Sequence, residues 1–334
     1  MNIIFFGSTS DSILVLSRLH QFLSLQFNVL ISAVVTQPSR PVGRKQVITP
    51  TPVEIWAKTH NIPVISFPHN PSQPQLFADD QVVIDTLQPF KADLLVSASF
   101  GQKIPWQTIQ ATKFGGLNVH PSLLPRWRGA DPVPWAIMAG DAQTGVTIVT
   151  LSKTFDAGEI IAQKKLPITD KDFSDPLRTK LFELGAVLLM KILPEVSTYH
   201  TPGVNRLHTP GKEPYARRLT RDDGFEPWKA IQKAFEDSEE AKRIDRKFRA
   251  LSPWPGVWSE IKLKSIEPRV QGIEKKRLKI LALHLAPKPS TLNPTLILDS
   301  VQLEGKNPVS FNQFKKAYLP PLPATIPTRH VSPD

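Results

Sequence analysis

Short apolar runs at residues 3–6, 29–35, 93–98, 116–119 and 146–151 alternate with stretches of helical periodicity at 11–25, 52–60, 81–88 and 133–139. This alternation predicts an α/β domain with a Rossmann-like, largely parallel sheet, because strands joined by helical crossovers run in the same direction. A longer helical pattern runs from Asp175 to Val196, and two turn signals follow it, Thr201-Pro202-Gly203 and Thr209-Pro210-Gly211. Residues 226–251 again read as helical until Ser252-Pro253-Trp254-Pro255-Gly256, where proline can neither donate to the helix nor continue it. Val257 to Leu263, Leu278 to Leu285 and Leu296 to Leu303 then read as strands of a small β-barrel. The expected organisation is an N-terminal domain over 1–200, a linker over 201–214, a mostly β domain over 215–318 and a Pro-rich flexible tail over 319–334.

Composition refines this picture. A length of 334 residues favours two domains, and 40% hydrophobic with 21% charged residues is ordinary for a globular chain. The absence of Cys removes disulfides, thiolate nucleophiles and Cys-based zinc sites, which fits the cytoplasm. Met1-Asn2-Ile3-Ile4-Phe5-Phe6-Gly7 lacks a basic leader and reads as a first strand, and no apolar run approaches membrane-spanning length. The net charge of +11 divides unevenly: 19 basic against 15 acidic residues over 1–212, and 22 against 15 over 213–334. Such a balance attracts polyanions such as RNA, and it equally describes an ordinary solvated surface.

Candidate chemistry lies in Gly115-Gly116-Leu117-Asn118-Val119-His120-Pro121, where Asn118 and His120 stand at i and i+2 near a strand end and share one side of the sheet. An isolated Asn-x-His is more often a hydrogen-bonded strand terminus than a site. Here the strand end, where open α/β sheets bind ligands, leads into a Pro-rich turn and Arg126-Trp127-Arg128-Gly129. A second strand pattern, Gly145 to Leu151, precedes Phe155-Asp156-Ala157-Gly158, in which Asp156 alone suits an Asx turn. The eight His show no metal-ligand spacing, so no metal is expected, and Gly7-Ser8-Thr9 lacks the glycine pattern of a dinucleotide site.

Taken together, Asn118-Val-His120, Ser122-Leu-Leu-Pro125, Arg126-Trp-Arg-Gly129, Gly140-Asp141, Thr144-Gly-Val-Thr147 and Asp156-Ala-Gly158 resemble the folate-dependent formyltransferase family. Thr36-Gln-Pro38, Arg40-Pro41 and Gly43-Arg44 are similar to that family's loop after the second strand, and Pro253-Trp-Pro255-Gly256 to its C-terminal domain. The resemblance implies a smaller C-terminal OB-like β-barrel domain. It also implies 10-formyltetrahydrofolate as formyl donor, held near Ser122, Leu123, Leu124 and Pro125 and bordered by Ser99, Phe100 and Gly101. The implied acceptor is the amine of methionyl initiator tRNA. Formyl transfer passes through a tetrahedral carbon bearing an oxyanion, so the site needs hydrogen-bond donors and a proton acceptor. Asn118 and His120 are the expected donors, while Asp156 either sets the tautomer of His120 or takes a proton through water.

In the family the loop after the second strand meets the acceptor end of tRNA, which makes Arg40, Arg44 and Lys45 candidate RNA contacts. Lys242, Arg243, Arg246, Lys247 and Arg249 fall at i,i+3 and i,i+4 spacings on one predicted helix, and Lys242, Arg246 and Arg249 are the expected phosphate contacts there. The chain departs from the family at Pro121, where a small residue is usual, and at Asp131, which replaces a small apolar one. Three rivals share these signals: a formyltransferase for a small amine, a 10-formyltetrahydrofolate hydrolase and a non-catalytic RNA-binding relative. A monomer is expected.

Overall fold

The structure is a computed structural model, and it describes residues 1–25, 29–43, 45–199, 213–264, 273–287 and 293–319. Residues 201–212 of the expected linker, residues 320–334 of the expected tail, and Arg44 lie outside the described residues. The chain divides into two compact units, Met1–Leu219 and Thr220–Asp334. Tyr215–Ala216, at the start of the expected second domain, pairs with Arg128–Gly129 within the first unit.

The first unit is built on seven strands: β1 (Asn2–Phe6), β2 (Leu30–Thr36), β3 (Val64–Ser66), β4 (Leu94–Ala98), β5 (Gly116–His120), β6 (Gln143–Thr150) and β7 (Ile160–Pro167). Their spatial order is β7-β6-β5-β4-β1-β2-β3. Strands β3 to β5 of this order are parallel, and β6 and β7 close the far edge by antiparallel pairing. Alternation sends successive side chains to opposite faces, so Ile3 and Phe5 join one core and Ile4 and Phe6 the other. Both faces are buried because both are covered. Helices α1 (Ser10–Ser24), α2 (Pro52–Thr59) and α6 (Ser174–Ile192) contribute Leu16, Leu19, Val53, Phe182 and Leu189 to the first core. Helices α3 (Asp80–Leu87) and α4 (Trp106–Gln110) contribute Val83, Leu87 and Ile109 to the second, and α5 (Pro132–Ala139) follows the turn after β5.

Local chemistry starts and stops these helices. Thr9 caps α1 through a capping box with Ser12, and Ser12 Oγ also donates to the Ala98 carbonyl at 2.7 Å, tying the helix start to the end of β4. Helix α5 ends at Gly140 in the left-handed region (φ 76°), where Gly140 N–H and Asp141 N–H donate back to Ile137 and Ala136. Gly185 lets α6 lie flat on β5, since a methyl group there would collide with Val119, the residue between Asn118 and His120. The loop expected after β2 is a hairpin of Arg40–Val42 and Val47–Thr49 with exposed Val42, Val47 and Ile48.

In the second unit, α7 (Trp228–Ala234) and α8 (Ser238–Leu251) precede β8 (Val257–Lys264), β9 (Ile273–Pro287), β10 (Pro294–Leu303) and β11 (Val309–Ser310), and α9 (Phe311–Tyr318) follows. The four strands form one antiparallel sheet in chain order, which is the small barrel-like β domain that was expected. Val257, Ile261, Leu263, Leu278 and Ile280 are buried on its inner face. Among the described residues no helix is long and apolar enough to cross a membrane.

Candidate active site

Leu117 and Val119 of β5 enter the core beneath α1 and α6, so Asn118 and His120 point to the opposite face. The register places Asn118 between Ser97 of β4 and Val149 of β6, and His120 opposite Thr147. The loop after β6 then returns Asp156 to the same spot. Asn118 Nδ2 donates to Asp156 Oδ1 at 3.2 Å, and His120 Nδ1 lies 3.6 Å from that same oxygen. All three expected groups therefore converge, with His120 4% exposed and the Asp156 side chain 12% exposed.

Asp156 is held in a left-handed backbone conformation (φ 50°), which a non-glycine residue adopts only when its surroundings dictate it. Those surroundings are the Gly129 N–H, which donates to Asp156 Oδ2 at 3.1 Å, and Arg128, which donates to the Phe155 carbonyl at 3.1 Å. Gly129 has φ 119°, and any side chain there would strike the Ala216 carbonyl, so only glycine lets this amide face the carboxylate.

His120 Nε2 lies 3.0 Å from the Trp127 carbonyl. A carbonyl only accepts, so Nε2 carries the proton and donates, and in the neutral ring Nδ1 keeps a lone pair. A main-chain oxygen thus meets Nε2 at hydrogen-bond distance, while Asp156, the candidate considered on sequence grounds for setting the tautomer, lies 3.6 Å from Nδ1. Trp127 gave no sign of this in the sequence, because its contribution is backbone and depends on a left-handed φ of 61°.

The turn after His120 is fastened from behind. Thr147 Oγ1 donates to the Ser122 carbonyl at 2.6 Å and accepts the Leu124 N–H at 3.1 Å, while Gln163 Nε2 reaches both Thr147 Oγ1 and the Leu124 carbonyl, at 2.9 and 2.8 Å. Of the residues expected near the donor, Ser122 is fully buried and bonded to the Arg126 carbonyl, and Leu124 is 3% exposed. These two shape the turn, while Leu123 and Pro125 keep accessible surface. Just past the end of neighbouring β4, Ser99 (φ 49°) is partly exposed, Phe100 is buried in the second core and Gly101 (φ 83°) is exposed.

Arg126 forms a two-pronged pair with Asp141 (2.9 and 2.7 Å) and lies over the Trp127 ring at 4.6 Å. Asp131, unexplained from sequence, accepts the Leu219 N–H at 2.7 Å and so anchors residues 213–219 beside the site. Among the described residues no group of three or more His, Asp or Glu is arranged to hold a metal ion.

The cations expected to meet RNA are distributed unevenly. Arg40 and Lys45 are exposed on the hairpin. On α8, Lys242 pairs with Glu239, Arg243 with Glu226 and Glu240, and Lys247 with Glu226. Arg246 is partly buried, with its Nε unpartnered. Arg249 corrects the expectation: it is 6% exposed and bonded to Asp245 at 2.8 Å, which removes it from the reach of a phosphate. The outer face of the sheet carries cations that sequence reasoning missed. Register sets Trp258 beside Lys279 and Lys262 beside Lys275, all three lysines are exposed, and Arg277 lies 4.4 Å over the Trp258 ring. Only the strand pairing brings these residues together.

Comparison with known proteins identifies the family. Residues 1–193 match the formyl transferase family model and residues 234–319 the formyl transferase C-terminal domain model. The chain is 38% identical over 262 residues to the methionyl-tRNA formyltransferase of Halalkalibacterium halodurans, covering 78% of this chain and 74% of that protein. It is 34% identical over 294 residues to the methionyl-tRNA formyltransferase of Listeria welshimeri, covering 84% and 86%. In fold it is similar to a 4-N formyltransferase from Francisella tularensis, with TM-score 0.55 at 14% identity over 82% of this chain and 95% of that one. With both domain models matched in order and relatives aligned over most of their length, the chain belongs to the methionyl-tRNA formyltransferase family of formyl transferases.

Proposed function

We propose that this enzyme transfers the formyl group of 10-formyltetrahydrofolate to the amine of methionyl initiator tRNA, giving N-formylmethionyl-tRNA for translation initiation. The observation that carries the reading is the convergence of Asn118, His120 and Asp156 at the carboxyl end of β5, in a chain whose relatives bear the name of that reaction.

Neutral His120 donates from Nε2 to Trp127 and presents the Nδ1 lone pair on the side of Asp156. As the amine adds to the formyl carbon, a C–N bond forms and the carbonyl π pair moves to oxygen. An amine proton passes to Nδ1, and the Asp156 carboxylate stabilises the imidazolium through space. When the tetrahedral carbon collapses, the bond to the donor nitrogen breaks and that nitrogen takes the proton back from Nδ1. The Asn118 amide has two hydrogens; one is directed at Asp156 and the other is free to stabilise the oxyanion. The donor is expected along Leu123 and Pro125 on one side and Ser99 and Gly101 on the other, where the turn and the neighbouring strand end leave accessible surface.

For the RNA, exposed Arg40 and Lys45 on the hairpin and Lys262, Lys275 and Lys279 on the sheet of the second unit favour contact with phosphates. The test is incubation with formyl-labelled 10-formyltetrahydrofolate and methionyl-tRNA, glycinamide ribonucleotide or water. Label on the methionyl amine is expected. Label on the glycinamide, or release as formate without an acceptor, overturns the reading.

A further inference from the structure

Trp127 combines features that ordinarily oppose each other: a bulky aromatic residue, a left-handed backbone at φ 61° and 7% exposure. Such a conformation is uncommon for a bulky side chain and persists only where several contacts fix it. Three contacts do so here. The main-chain N–H donates to the Pro214 carbonyl at 3.1 Å, the indole Nε1–H donates to Asp141 Oδ2 at 2.7 Å, and the Arg126 guanidinium covers the ring at 4.6 Å.

Two of these contacts end on one carboxylate. Asp141 takes the indole N–H and both prongs of the Arg126 guanidinium, gathering the side chains of consecutive residues onto a single group. Asp141 is itself fixed by the turn that ends α5, in which its N–H donates to the Ala136 carbonyl at 3.1 Å. It touches none of Asn118, His120 and Asp156. Its consequence is felt at the main chain of the residue it holds, at the Trp127 carbonyl facing His120 Nε2.

We infer that Asp141 is a positioning residue of the formyl-transfer site: by clamping Arg126 and Trp127 it aims the Trp127 carbonyl at His120 Nε2 and so keeps the Nδ1 lone pair free to carry the proton. The inference rests on His120 as the proton carrier. Replacing the carboxylate by an amide sets an NH2 group against a donor in either orientation: against Arg126 Nη2 where the oxygen takes the place of Oδ2, or against the indole and Arg126 Nε where it takes the place of Oδ1, so the clamp loses at least one of its three hydrogen bonds. The Trp127 backbone is then released, and His120 samples the tautomer with its proton on Nδ1.

The test reads the tautomer directly and needs no substrate, so it stands apart from whether tRNA is the acceptor. In the wild-type chain, ¹⁵N NMR of the His120 ring, assigned by its loss in His120→Gln, is expected to show Nε2 protonated and Nδ1 bare in the neutral form. A wild-type ring protonated on Nδ1 overturns the inference without any variant at position 141. In Asp141→Asn, the expected results are a mixed or reversed tautomer and a kcat lowered by about 10–100-fold, the usual effect of losing a partner that orients a functional histidine. KM for the formyl donor is expected to stay within threefold. Trp127→Phe keeps the carbonyl but loses the indole donor, and should shift the tautomer in the same direction by less. A folded Asp141→Asn chain with wild-type tautomer and kcat overturns the inference. If that variant does not fold, Trp127→Phe decides: an unchanged tautomer there overturns it.

Discussion

Thr147→Val exchanges a hydroxyl for a methyl of nearly the same shape at a fully buried position opposite His120. The hydroxyl serves three neighbours, the Ser122 carbonyl, the Leu124 N–H and Gln163 Nε2. Gln163 retains the Leu124 carbonyl as acceptor, whereas the Leu124 N–H and the Ser122 carbonyl lose the partner that Thr147 supplied. Each of these two unsatisfied buried groups costs about 1–3 kcal/mol, and the added methyl returns roughly 0.8 kcal/mol, which leaves a net loss of about 1–5 kcal/mol. For a unit the size of Met1–Leu219 this corresponds to a midpoint lowered by roughly 2–20 °C. Thermal unfolding gives the size of the effect, and hydrogen exchange at the Leu124 amide gives its location. Thr147→Ser keeps the hydroxyl and should lose only about 1 kcal/mol. A Val variant as stable as the Ser variant, with Leu124 exchange unchanged, would refute the idea that this hydroxyl holds the turn.

Other consequences follow from the same geometry. Gly129→Ala puts a methyl against the Ala216 carbonyl at φ 119°, and is expected to cost at least about 2 kcal/mol and most of the activity, as read by denaturant unfolding and turnover. Burial raises the Asp141 pKa, but hydrogen bonds from Arg126 and Trp127 and the Arg126 charge outweigh it and hold the group below the usual carboxylate range. Its contribution to stability is therefore complete above the unfolded value of about pH 3.9 and is lost as pH falls through the folded value. Urea midpoints from pH 5 downward should fall more steeply for the wild type than for Asp141→Asn; equal slopes would exclude this linkage. Replacing Lys262, Lys275 and Lys279 together by Ala should weaken tRNA use and reduce the slope of log affinity against log salt by roughly 2–3. An unchanged slope would clear the sheet face of any role.

The alternation of apolar runs and helical periods made the central sheet legible, but two strands escaped it. β3 has only three residues, and β7 is an edge strand whose exposed Gln163, Lys164 and Lys165 interrupt any apolar rhythm. The helical reading of 226–251 is two helices, divided where Asp237 caps the second. At the site, the i,i+2 spacing placed Asn118 and His120 on one face, and only the loop geometry brought Asp156 to them. Left-handed backbone at Trp127 and Asp156 leaves no mark in a sequence of ordinary residues, so the carbonyl that fixes His120 was invisible. The acids beside the basic stripe on α8 were legible too: Glu239, Glu240 and Asp245 stand three or four residues before Lys242, Arg243 and Arg249, where helix geometry pairs them.

The central claim is that His120 carries the proton while Asn118 and Asp156 hold the developing charges. Single-turnover transfer of labelled formyl from 10-formyltetrahydrofolate to methionyl-tRNA, with wild type and His120→Ala at saturating donor and tRNA, tests it most directly. Label should reach the methionyl amine with the wild type, and the variant should be slower by about 10²–10⁴-fold with both substrates still bound. Transfer by His120→Ala at the wild-type rate would contradict the account.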